Sequence, residues 1–361
     1  MFNRRHLSRI AAALAIALAI GLPAPSTAQS ATQPTAGIDV VQQIKNLQIK
    51  TGPYTNGYLI APAGRINWYF SNLGLLPIVQ YLSPADLNTY VLSYLNLYIA
   101  KLNVNSTIAD VNFVAGNMAS VTLVGSDSDD SYAATFLSLA VKYERVSHNS
   151  VWWTANEATL KNIAYRNLAV MQKTSDGLIA TFQPPRTQTN SLGYLMDNAE
   201  DYRGLRDFAG MLRDLGETSD ANYYDLVATG IVNGISNYLY DSAHAGFKTS
   251  DGDAQATTAF YAGTTCQVFP QAFALNELSA YYDKGWSYLS LHTPNWQNGT
   301  YDPFPWAVLG YVAALRQQPA VAQAQQHMIE SKFINNRGLI TMNELGFYQR
   351  TKSLLVGNSA Y

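Results

Sequence analysis

The stretch GSDSDDSYAATF, residues 125–136, crowds three aspartates into four positions immediately before an apolar, helix-patterned run. Charged residues make up only 13% of the chain, so the crowding calls for a cause. Asp and Ser at a helix start satisfy orphan N–H groups and complement the helix dipole. Clustered carboxylates in unequal environments also separate acid from base roles in catalysis. Where this helix start sits in the molecule decides between the two.

Working outward, apolar residues recur at three- and four-residue spacings in twelve segments. They lie near 37–50, 66–81, 85–102, 129–146, 152–173, 198–215, 219–240, 264–282, 284–292, 303–316, 319–333 and 343–355. Short connectors follow the even-numbered segments, such as LSPAD, VSHNS, GETSD and RQQPA. Long ones follow the odd-numbered segments, including residues 103–126 and 241–263. A ring of antiparallel helical hairpins has this signature, because all outer-to-inner connections then fall on one face and all tight turns on the other. Long loops on one face mark a functional end. The expected fold is therefore all-α, an (α/α)6 toroid of six helical hairpins, with short β-hairpins in the long loops of one face. Three of those loops share a weak repeat, SDGLIATF (175–182), HAGFKTS (244–250) and NRGLITM (336–342). In each, the Gly reads as a helix C-cap followed by one edge of a small hairpin.

The N-terminus has a separate reading. Arg4, Arg5 and Arg9 precede an apolar run from Ile10 to Leu22, and small residues lead to a cleavage site after Ala28. Residues 1–28 are expected to be a signal peptide of the Sec or, from NRRHLS, the twin-arginine type. Residues 29–35 then form a polar leader and 36–361 a single domain, secreted or periplasmic. With the signal gone, no membrane association is expected. One cysteine, Cys266, allows no internal disulfide, so stability must come from the core. A net charge of −2 leaves no electrostatic footprint for nucleic acid. The five histidines are scattered and no metal-ligand spacing occurs, so neither metal nor cofactor is expected. The expected partner is a carbohydrate polymer or oligosaccharide, bound by a monomer. The 24 Tyr and 6 Trp suit stacking on sugar rings, and equally suit packing between helices.

A second acidic cluster, MDNAEDYRGLRDFAGMLRDLG (196–216), starts the third inner helix and aligns with the first. Asp127, Asp130 and Tyr132 match Asp197, Glu200 and Tyr202. A pair of capping boxes would use Asp127 and Asp197 as caps, with Asp130 and Glu200 reaching back. That leaves Asp129, Asp201, Tyr132, Tyr202 and Arg203 without a role.

The paired helices and SDSDDSYAATFLSLA resemble the six-hairpin, (α/α)6-barrel glycosidase-like superfamily, and the acidic stretch is similar to the Asp-x-Asp helix start of family-8 glycoside hydrolases. DNAEDYRGL (197–205) is similar to a helix start of bacterial six-hairpin carbohydrate enzymes. The resemblance implies a glycoside hydrolase, inverting as most of that superfamily are. One departure stands out: APAGRINWYFSNLG (61–74), where family-8 enzymes carry the acid Glu, has no acidic residue.

Glycoside hydrolysis needs one carboxylic acid and one carboxylate, roughly 6.5–9.5 Å apart for inversion and about 5–5.5 Å for retention. The candidate catalytic set is Asp127, Asp129, Asp130, Asp197 and Glu200. Asp129 is expected as base, and Glu200 as acid with Asp197 as its alternative. Candidate substrate-binding residues are Arg65, Asn67, Trp68, Tyr69, Tyr132, Asp201, Tyr202, Arg203, Tyr261, Gln267, Asp302, Trp306 and Glu344. Glu344 is a further candidate for the acid, and Asp302 also reads as a helix cap. Two alternatives stay open. A polysaccharide lyase acting on uronates would take its base from Tyr132, Tyr202, Tyr261, His148, His244 or His292. A non-catalytic sugar-binding protein on the same fold would need no base at all.

Overall fold

Side chains that close one segment and open the next set the helix boundaries. In the computed structural model, which describes residues 32–114, 116–184 and 191–360, Asp39 accepts the Gln42 N–H at 3.1 Å and starts α1, Val40–Asn46. Asn67 accepts the Phe70 N–H at 2.8 Å and starts α2, Trp68–Leu75. Ser83, with Pro84 at the first helical position, starts α3 over residues 84–100. Next come α4, Asp130–Ser147, which stops at a left-handed His148, and α5, Ser150–Ala164, capped by Asn149. The chain continues through α6, Leu195–Asp214, and α7, Thr218–Gly234. Then follow α8, Phe269–Ala272, α9, Tyr282–His292, α10, Val308–Leu315, α11, Pro319–Asn335, and α12, Met342–Leu355. The signal-peptide reading and the first three residues of the polar leader, 29–31, lie outside the described residues.

The protein is mostly helical. Helix α2 packs against α4, α4 against α6, α6 against α8, α8 against α10, α10 against α12, and α12 returns to α2. Helices α1, α5, α7 and α11 each pack on a member of this cycle, while residues 87–92 of α3 rest on α4 and α9 packs on the turn at 266–268. Two close crossings draw the cycle tight. A Cβ on Gly204 would stand 2.5 Å from the Ala134 carbonyl oxygen, so α6 and α4 touch backbone to backbone. A Cβ on Gly346 would likewise meet Leu73 O at 2.4 Å, which seats α12 on α2. Large aromatics fill the remaining space, with Tyr98 of α3 stacked 3.8 Å from Phe136 of α4.

Two small antiparallel sheets occupy long connectors. Strands β1, Asp110–Val114, and β2, Asn117–Val124, pair before α4. The two-residue strands β3, Tyr240–Asp241, and β4, Gly246–Phe247, pair after α7.

Several expectations need correction. The helix expected over 264–282 breaks up into a 3-10 turn at Cys266–Val268, the short α8 and a second 3-10 stretch at Asn276–Tyr281. Pro270 supplies no N–H there, and Ala274 turns left-handed at φ +59°. The helix expected from 303 begins only at Val308, because Pro303, Pro305 and a left-handed Trp306 precede it. Of the three repeated glycines only Gly177 has positive φ; beside Gly246 it is Ala245 that turns, and Gly338 lies in a 3-10 turn.

Neither capping box forms. Helix α4 starts after Asp129 and α6 after Tyr194, and neither residue makes a side-chain cap bond. Neighbouring backbone ties down these starts instead. Asp129 N–H donates to Thr181 O at 2.8 Å and Leu195 N–H to Thr249 O at 2.9 Å. Capping therefore does not account for Asp127 and Asp197.

Candidate active site

One cavity of about 790 Å³ gathers residues from all six long connectors and the helix starts that follow them. The first contributes Arg65 and Tyr69, the second Asp127 and Tyr132, the third Tyr194 and Asp197. Tyr261 and Ala262 come from the fourth, Phe304 and Trp306 from the fifth, Thr341 and Glu344 from the sixth. Eight of the residues singled out from sequence thus meet: Arg65, Tyr69, Asp127, Tyr132, Asp197, Tyr261, Trp306 and Glu344.

Asp127 stands before α4, exposed to the cavity, and accepts the Tyr132 hydroxyl. Tyr132 OH also receives a hydrogen bond from Asn67 Nδ2 at 2.6 Å, and both Asp110 carboxyl oxygens lie 3.1 Å from it. A phenol has one proton to give. Asp110 and Asp127 therefore compete for it, and the Asn67 amide, 2.9 Å from Asp110 Oδ2, supplies a second donor. Burial, and next the charge of Asp127, push the Asp110 carboxyl up to about 6, with Arg65 opposing from 3.9 Å. Asp110 escaped the sequence reading. Its signal was a lone acid at the head of an otherwise uncharged strand, VNFV.

Asp197 occupies the third position of α6. Desolvation in the cavity wall, and then the negative charge of Asp127, push its carboxyl up to about 7, while Ser131 beside it acts the other way. Glu344, 5% exposed, accepts the Ala307 N–H at 2.6 Å where α10 begins. Burial raises it to about 7 despite that bond. Tyr261, 62% exposed, stacks on Trp306 at 4.8 Å and 29° between planes, forming a flat aromatic step. A second stack, Tyr69 on Tyr132 at 5.9 Å, stands beside the acids.

The other candidates sit elsewhere. Asp129 is buried with Oδ2 on the Gln183 N–H at 3.0 Å, holding the third connector rather than facing the cavity. Glu200 is 2% exposed and lies behind Tyr69, whose hydroxyl donates to it at 2.5 Å. Burial, followed by the charge of Asp197, raises its carboxyl well above the usual range. Asp130 and Asp201 are fully buried. Trp68 is core, its indole N–H donating to Ala109 O, and Asn67 is 1% exposed in the polar cluster under Asp127. Tyr202 donates to Glu277 at 2.6 Å, and Arg203 pairs along its own helix with Asp207 at 2.9 Å. The Gln267 amide clamps the backbone of Phe247. Asp302 accepts the Phe304 N–H in a local turn, not at a helix cap. Helical periodicity separates inside from outside but does not say which buried face points along the cavity, which explains these misplacements.

Among the described residues, no three His, Cys, Asp or Glu side chains are grouped as metal ligands would be, and no helix is long and apolar enough to cross a membrane. Compared with protein-family models and with curated proteins, the chain matches none.

Proposed function

We propose that this chain is an exported glycoside hydrolase on an (α/α)6 toroid, cleaving a polysaccharide or oligosaccharide between Asp197 and Asp127. The observation that carries the reading is their placement. Two carboxyl groups from the starts of adjacent helices line one cavity, and one of them is raised to about 7 by burial and by the other's charge. Such a pair is equipped to divide acid and base labour at neutral pH. Asp197 is the proton donor to the leaving oxygen and Asp127 the carboxylate opposite. The toroid reading is supported by the closed cycle of helix contacts and by the meeting of all six long connectors at one cavity. The Tyr261–Trp306 step offers a sugar ring a flat apolar face at the cavity wall.

The lyase alternative fits less well. Of its candidate tyrosines, Tyr132 and Tyr261 line the cavity, and burial and neighbouring carboxylates raise both, a poor state for a base. Among the described residues no histidine lines the cavity, and its acids would repel a uronate. The deciding experiment measures reducing ends released by the mature protein from neutral, acidic and furanose-containing glycans. Hydrolysis lost in Asp197→Asn and Asp127→Asn, with ligand binding kept, supports the proposal. An unsaturated, ultraviolet-absorbing product overturns it in favour of a lyase, and binding without turnover in favour of a binding protein.

A further inference from the structure

Two carboxyl groups near Asp197 are buried in a setting that disfavours both as ions. Asp130 is the first residue of α4 and Asp201 lies in the second turn of α6, and both have 0% exposure. Asp130 Oδ1 accepts the Ser131 N–H at 2.8 Å. Among the described residues, no N–H or O–H group donates a hydrogen bond to Asp130 Oδ2 or to either oxygen of Asp201. One turn further along each helix, α6 and α4 meet backbone to backbone at Gly204 and Ala134, which brings the two carboxyls together.

The groups around them are acidic. Asp129 adjoins on the same turn, and Asp197 and Glu200 come from α6. From α2 the Tyr69 hydroxyl is spent on Glu200, and from α12 the charge of Arg350 acts on Glu200. Two buried carboxylates that share a single N–H donor repel strongly, whereas a proton between them supplies a donor to the oxygens left over. We propose that Asp130 and Asp201 form a proton-sharing carboxyl pair that acts as a positioning clamp between α4 and α6. Burial and the neighbouring acids raise both carboxyls well above the usual range, in keeping with that arrangement.

The clamp sits where it controls the cavity. Asp127 precedes Asp130 by three residues, and Asp197 precedes Asp201 by one helical turn. Joining Asp130 to Asp201 thus fixes the separation of Asp127 and Asp197. This positioning role rests on the reading of Asp197 as proton donor; the shared proton does not.

The test uses the mature chain with Asp130→Asn, Asp201→Asn and Asp201→Ala. An amide reproduces the shape and hydrogen bonding of the neutral acid. The wild-type pair must keep protons that the unfolded chain releases above about pH 4, so its stability is whole below that pH and declines as pH rises toward the folded pKa. Thermal and denaturant unfolding from pH 5 to 9 should therefore show both asparagine variants gaining on the wild type. The gap in unfolding constant should widen by up to roughly tenfold per pH unit for each proton removed. Asp201→Ala should be weaker than wild type at pH 5 and lose turnover that Asp201→Asn retains. A gap that stays constant with pH, asparagine variants that lose ground as pH rises, or failure of both to fold would overturn the shared proton. Equal turnover in Asp201→Ala and Asp201→Asn would overturn the positioning role. If the wild type hydrolyses no glycan, the hydrolase reading and the positioning role fall, and the unfolding data still decide the pair.

Discussion

Asp197 and Glu344 are carboxyls raised to about 7 in one cavity, for partly different reasons. Burial leads in both; for Asp197 the next cause is the charge of Asp127, whereas for Glu344 a backbone N–H pulls the other way. This difference makes separate predictions. In the proposed role of general acid, Asp197 must hold its proton, so kcat should fall as pH climbs through about 7. Asp197→Asn should lower kcat by about 10²- to 10⁴-fold, read as initial rates of reducing-end release. Glu344 touches the Ala307 N–H, and a glutamine oxygen can replace that acceptor. Its folded pKa lies above its unfolded value of about 4.3, so its contribution to stability is whole below that value and is lost as pH rises to about 7. Glu344→Gln should accordingly gain stability over the wild type between those limits, and denaturant midpoints at pH 4.5 and 8 check the sign.

At the scale of elements, the site depends on two helix starts tied down by backbone and on one close crossing. Gly204 lets α6 touch α4 at Ala134, and the acids of both starts lie above that contact. Its neighbour there is main chain, which cannot swing aside. Gly204→Val should cost about 1–3 kcal/mol by overpacking, measured by urea unfolding, and should also lower turnover by moving the starts apart. Asn149 is a contrast: it caps α5 through the Trp152 N–H at 3.1 Å, remote from the cavity lining. Asn149→Ala should cost about 1 kcal/mol with kcat and KM unchanged.

For the molecule as a whole, the informative feature is convergence. Connectors separated by more than two hundred residues deliver Arg65, Asp197 and Trp306 to one cavity. Tyr261, stacked on Trp306, is the most exposed aromatic side chain among the residues that line it, and at 62% exposure it carries little of the core. Tyr261→Ala should leave the melting temperature within a degree or two and weaken oligosaccharide binding about tenfold, equivalent to about 1.4 kcal/mol. Isothermal titration with the Asp197→Asn variant measures it without turnover.

The sequence by itself determined the helical class, the alternation of long and short connectors, and the two acidic helix starts at 127–130 and 197–201. These are local properties: apolar spacing, turn residues and charge crowding are written in consecutive positions. Tertiary structure decided which member of each cluster faces the cavity. Asp127 and Asp129 are two residues apart, yet one opens to the cavity and the other holds the Gln183 backbone, a partner 54 positions away. Asp110 joined the site through Asn67 and Tyr132, and Glu200 left it behind the Tyr69 ring. A carboxyl group's role follows from the dielectric, donors and charges around it, and distant segments supply all three.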